Sequence, residues 1–219
     1  MKMRVLESKF EPPFEHSHGI SPENLGGLPR FESSAMSVEY PFARVFLKDS
    51  TMPVSVTMES FTPFIPLDAD NSGIPGAVIR YSVENLTRTP VEVSVAGSMA
   101  NPVGFEGYNI WERLRVALPG KNAWIEGEQS PGLFFTCPDL PSHHLSAGNM
   151  AIKCLDEKAF YKREWLNTGW WDGLQDFWNE LSDEGELKPV SIPPPTGNQD
   201  TIETKLKIGS IGAKKTIPP

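Results

Sequence analysis

Proline and glycine punctuate this sequence from end to end, and no other feature limits its fold as strongly. The 21 prolines and 18 glycines among 219 residues are distributed along the whole chain, so apolar runs stay short and broken. Proline removes a backbone donor and clashes inside helices, while glycine gives up the most conformational freedom in any regular element. A helix bundle is therefore a poor solution, and many short strands joined by turns are a good one. With 39% hydrophobic residues the chain buries a sizeable core and reads as one domain plus irregular segments. No run approaches the roughly 20 apolar residues that a membrane-spanning helix needs.

The clearest strand signal is Ala77 to Val83, with Val78, Ile79, Tyr81 and Val83, ending at the turn-forming stretch Asn85 to Pro90. Val91, Val93 and Val95 then alternate with Glu92 and Ser94, and the two stretches together predict a hairpin with one buried face. Ser37 to Leu47 and Val54 to Phe61 carry the same pattern, with Val54, Val56 and Met58 on one side and Ser55, Thr57 and Glu59 on the other. Weaker candidates are Leu114 to Leu118, Leu133 to Cys137, Met150 to Leu155 and Thr204 to Ile211. About eight such strands fit a mainly β fold, a two-layer antiparallel β-sandwich.

One stretch breaks the period of two. Leu174, Phe177, Trp178 and Leu181 fall at i, i+3, i+4 and i+7, which predicts a short amphipathic helix over 172–181. Asp172 is placed to cap it, with Gln175 three residues on, and Gly185 lies just beyond its end. Such a helix is expected to lie across a sheet edge or face. Residues 192–200, with three consecutive prolines and then Gly197 and Asn198, predict a connector that is first stiff and then flexible.

A net charge of −8 with scattered lysines and arginines argues against a nucleic-acid partner, since phosphate backbones are anionic too. The opening MKMRVLESKF has only Val5 and Leu6 before charge returns, too little for a signal peptide, and a cytoplasmic location is expected. Cys137 and Cys154 make no disulfide framework and match no metal spacing, so two reduced thiols are expected. The segment Asp68 to Gly73 resembles the first half of a calcium loop, but Ile79 occupies the twelfth position, where a bidentate Glu is required. A polar turn accounts for it better. His16 and His18, and the pair His143 and His144, lack Cys or carboxylate companions at ligand spacing, so no metal site is expected. No phosphate loop, nucleophile elbow or His-Glu-x-x-His stretch occurs, and no cofactor is expected. Asn85-Leu86-Thr87 matches a glycosylation triplet but is more simply a turn.

Trp165, Trp170, Trp171 and Trp178 lie close together in sequence. Trp170 and Trp171, just ahead of the predicted helix, are the candidates for stacking against a sugar ring, against the ordinary explanation of core or staple packing. The 28 carboxylates contain no pair that sequence alone marks as the acid and base of glycoside hydrolysis.

The stretch Val38 to Ala43, followed by MPVSVTMESFTPFIPLDADNSGIPGAVIRYSVENLTRTPVEVSV, resembles the N-terminal domain of glycoside hydrolase family 116, the family of non-lysosomal glucosylceramidase or bile-acid β-glucosidase. WWDGLQDFWNELSDEGEL is similar to a second landmark of that family. The resemblance covers roughly residues 37–219, leaving 1–36 as an irregular N-terminal segment. It implies a supersandwich-like accessory domain that packs on a helical (α/α)6 barrel. In the family the nucleophile Glu and the acid/base Asp of a retaining β-glucosidase belong to that barrel, which this sequence does not contain, so no catalytic residue is carried over and the chain alone is expected to be inactive. The resemblance further implies that the sandwich stops short of its last strand. Two functions follow as expectations: a scaffold for the barrel domain, or a free-standing carbohydrate-binding or interaction module, with β-glucosides as the candidate ligands.

Overall fold

A computed structural model describes residues 1–9, 27–108, 114–127, 130–156, 158–166, 172–189 and 207–219. The fold is mainly β, with several small, mostly antiparallel sheets and, among the described residues, two helices. It divides into two compact units, the first containing most of the chain before Val93 and the second most of the chain from Val93 to Lys215.

In the first unit, β1 (Val5–Ser8) runs parallel to β2 (Arg30–Phe31). Strands β3 (Ser33–Glu39), β4 (Phe42–Lys48), β5 (Val54–Phe61) and β6 (Val78–Asn85) form an antiparallel meander in chain order. Strand structure thus begins well before residue 37. The expected single strand from Ser37 to Leu47 is two, separated by the Tyr40-Pro41 turn, whose peptide bond is cis. Proline has no N–H for a sheet ladder, so the chain reverses there. Between β5 and β6 stands a one-turn helix, α1 (Ala69–Ser72).

Register assigns the two faces of this sheet. Ser37, Arg44, Glu59 and Arg80 form one cross-strand row, and Glu59 bridges Arg44 at 2.6 Å and Arg80 at 3.2 Å. Opposite-charge pairs of this kind suit a wet face. The other face carries the rows Leu47, Val56, Val83 and Met36, Val45, Met58, Tyr81 and Val38, Ala43, Ser60, Ile79. Leu47, Val54 and Val56 are buried, as their alternation predicts.

The second unit is a sandwich. One layer is the sheet of β10 (Lys121–Ile125), β11 (Gly132–Thr136) and β12 (Asn149–Lys153). The other has the order β13 (Ala159–Lys162), β14 (Ile208–Ile217), β7 (Val91–Ala100). Leu133, Phe135 and Ile211 are buried between them, with Met99, Trp124, Ile152, Cys154 and Tyr161 packed around that core. Trp124 stacks on Tyr161 with ring centroids 3.7 Å apart. The layers approach so closely at Gly209 that a Cβ there would lie 2.9 Å from Leu133 Cδ1, so only glycine fits without a shift. Strands β8 (Phe105–Tyr108) and β9 (Leu114–Val116) form a separate ladder.

The hairpin expected between residues 77–83 and 91–95 does not form, because β6 ends the first sheet and β7 joins β14 in another. Partners for the serines of β7 lie in the second unit: Ser98 Oγ is 2.7 Å from Ser210 Oγ, and Ser94 Oγ donates to the Gly185 carbonyl at 2.5 Å. Alternating valines state that one face is buried, but they do not name the neighbour.

Helix α2 (Asp172–Glu184) covers the face of β13-β14-β7 opposite the sandwich core. Phe177 and Leu181 are buried, as the spacing predicts. Gly185 ends the helix with φ +71° and donates to the Leu181 carbonyl at 3.0 Å, an αL cap. The side chain of Gln175 donates along the helix to Asn179 at 2.7 Å. In the first turn of α2 the Leu166 carbonyl lies so close to Gly173 that a Cβ would not fit, with the Trp165 side chain beside it; the connector at 192–200 lies outside the described residues.

Candidate functional site

The two sugar-stacking candidates, Trp170 and Trp171, lie outside the described residues, as do His16 and His18. Their described neighbour Trp165 is committed to packing. Its indole N–H donates to Ser210 Oγ at 2.7 Å and its ring stacks on Phe177 at 4.6 Å. Trp124 is engaged with Tyr161, so these two rings serve the interior rather than a ligand.

His144 accepts from the Ser146 backbone N–H through Nδ1 at 3.1 Å and has Glu106 3.9 Å from Nε2, a loop arrangement. Among the described residues no group of three His, Cys, Asp or Glu side chains is gathered to hold a metal ion, and no helix is long and apolar enough to cross a membrane. Cys137 and Cys154 are free thiols.

The segment that half resembles a calcium loop has a structural use for its oxygens. Asp68 caps α1, accepting from the Asn71 backbone N–H at 3.0 Å and from the Asn71 amide at 2.6 Å, and these hydrogen bonds hold its carboxyl below the ordinary range. Asn85, of the glycosylation triplet, accepts from the backbone N–H and hydroxyl of Thr87 at 2.9 and 2.8 Å. Its own amide donates to the carbonyls of Thr89, Ile217 and Pro218. That is an Asx turn whose side chain also holds the C-terminal residues.

A surface feature that strand periodicity does not mark lies at the end of the first unit's sheet. The β3–β4 turn and the β5–β6 loop meet there, with the rings of Tyr40 and Phe64 edge to face at 5.1 Å. Tyr40, Phe64, Ile65, Leu67 and Ile74 are all exposed. Beside them on the apolar face of the sheet, Met36, Val38 and Ile79 are 67%, 66% and 56% exposed. Large apolar side chains gathered on one end of a sheet are the usual mark of an interaction surface. The available signal was chemical: Phe64-Ile65-Pro66-Leu67 is an apolar loop tip, where loops ordinarily carry polar residues.

The β5–β6 loop is also firmly built. Ser72 Oγ donates to the Ile65 carbonyl at 3.0 Å and accepts from the Ile65 N–H at 2.9 Å. The Asp68 N–H closes a turn on the Ile65 carbonyl at 3.1 Å. Pro66 holds the second position of that turn and Leu67, with φ +67°, the third, the geometry of a type II turn.

Strand content, packed layers and carboxylates engaged in caps and ion pairs define a mainly β, sandwich-type domain with an apolar surface at one end of a sheet. The family model described as "beta-glucosidase 2, glycosyl-hydrolase family 116 N-term" matches residues 4–219. The chain therefore belongs to glycoside hydrolase family 116, as its N-terminal domain, and the match takes in the N-terminal strands as well as the region from residue 37. Among curated proteins, none matches the chain.

Proposed function

We propose that this chain is the accessory sandwich of a retaining, glucosylceramidase-like β-glucosidase, that it scaffolds a helical-barrel catalytic domain, and that it hydrolyses nothing by itself. The observation that carries the proposal is the exposed apolar surface at one end of the β3–β6 sheet. One face is laced by the Arg44–Glu59–Arg80 ladder, while the other leaves Met36, Val38 and Ile79 in solvent at one end. Surface of that kind is stabilised by contact with another apolar surface, at roughly 25 cal/mol per Å² buried. Membership in the family as its N-terminal domain supplies the class of partner. The ion pairs inside the first unit, Arg4 with Asp49 and Arg30 with Glu7, read as structural on the same view.

The test is hydrolysis of a chromogenic β-glucoside by the purified chain, alone and then mixed with a separately expressed family 116 catalytic domain. Activity that appears or rises only in the mixture supports the scaffold. Activity of the chain alone would sink it and return attention to its carboxylates. Saturable glucoside binding by the chain alone, abolished by Trp170→Ala or Trp171→Ala, would replace the scaffold with a carbohydrate-binding module.

A further inference from the structure

We infer that Leu67 is the anchor by which the β5–β6 loop docks the domain, entering an apolar pocket of the catalytic domain; this rests on the scaffold reading above. The argument begins from a local contradiction. Leu67 has φ +67°, a conformation in which the Cβ of an L-residue crowds the following carbonyl oxygen. The third position of a type II turn is ordinarily filled by Gly or Asn, which accept positive φ. Leucine returns nothing to the chain for that strain, since its side chain is fully exposed, at 107% of the reference area. Strain that internal packing does not offset points to a use outside the chain.

The loop is shaped to present that side chain. The Ile65 carbonyl closes the turn, Ser72 grips Ile65 from both sides, and Asp68 fixes α1 directly behind Leu67. The backbone that carries Leu67 therefore loses little further entropy on contact, which favours an anchor residue at this position. Ile65 and Phe64, also exposed, lie beside it in the same loop, and Tyr40 packs edge to face on Phe64. Charged side chains would have suited a solvated tip better. Apolar anchors fit an apolar pocket, and a domain that belongs to a glycoside hydrolase as its N-terminal part has the catalytic domain as its natural partner.

The experiment measures docking of the full 219-residue chain to a family 116 catalytic domain by titration calorimetry, for wild type, Leu67→Asn and Leu67→Gly. Both replacements suit positive φ, so the thermal midpoint of unfolding is expected not to fall. Docking is expected to weaken about ten- to a hundredfold, the range set by burying one leucine side chain. Docking of both variants at wild-type affinity would overturn the anchor and leave the scaffold reading standing. Failure of the wild-type chain to dock would overturn both.

Discussion

Asp49 shows how a single buried carboxylate can hold two segments together. Its Oδ1 accepts from the hydroxyl and backbone N–H of Thr51 at 2.6 and 2.8 Å, and its Oδ2 from Arg4 at 2.7 Å. The Thr51 hydroxyl hydrogen bond, opposed by burial and seconded by Arg4, lowers its pKa from 3.8 to about 2. Because the folded value lies below the unfolded one, the ionised form stabilises the fold above about pH 4, and that contribution is lost as pH falls toward 2. Asp49→Asn is expected to cost about 1–3 kcal/mol near neutral pH. In urea unfolding the gap from wild type should narrow when the pH is taken from about 6 to about 3; a gap of constant size would show that Asp49 acts through shape rather than charge.

At the scale of elements, α2 is fastened to β13 by more than its apolar stripe. Lys162, buried in the sheet face, reaches Asp176 at 2.9 Å and Glu180 at 2.7 Å. Burial alone would lower its pKa, but the hydrogen bonds and charges of Glu180 and Asp176 outweigh that and raise it. The lysine is therefore charged, and its stabilising effect persists until pH rises through that elevated value. Lys162→Met keeps the length and apolar stem but leaves two carboxylates facing each other. It is expected to cost about 3 kcal/mol, read as a lower unfolding midpoint by circular dichroism, and the loss should be partly recovered in Lys162→Met combined with Asp176→Asn and Glu180→Gln. Without that recovery, the two carboxylates would not be the source of the penalty. The helix itself was legible from the spacing of Leu174, Phe177, Trp178 and Leu181, and Gly185 as its stop follows from αL capping. The clamp was not, because Lys162 and the two acids are separated by chain whose path the spacing does not record.

For the whole molecule, an apolar docking surface and a charged one predict different thermodynamics. Association through Met36, Val38, Ile79 and the Leu67 loop should show a negative heat-capacity change and little salt dependence. Calorimetry of the chain with a family 116 catalytic domain at several temperatures and salt concentrations reads both; an affinity that collapsed with salt would move the interface to the charged face around Glu59.

Much of the architecture follows from the sequence alone. Proline and glycine spacing dictates short strands, alternation assigns Val54 and Val56 to the interior, a 3.6-residue period marks α2, and the motif around Pro63 to Pro75 carries the family resemblance. These are local properties, set by sterics and by which side of an element is apolar. Strand partnership was decided only in three dimensions. β7 joins β14 instead of β6, because pairing depends on which distant surface offers complementary groups. The break of one expected strand at Tyr40-Pro41 is by contrast a local effect of proline that the sequence already carried. The docking loop, like strand partnership, was decided by the tertiary structure. Leu67 is one more leucine in sequence, and only its backbone geometry and exposure reveal a side chain held out against its own preference.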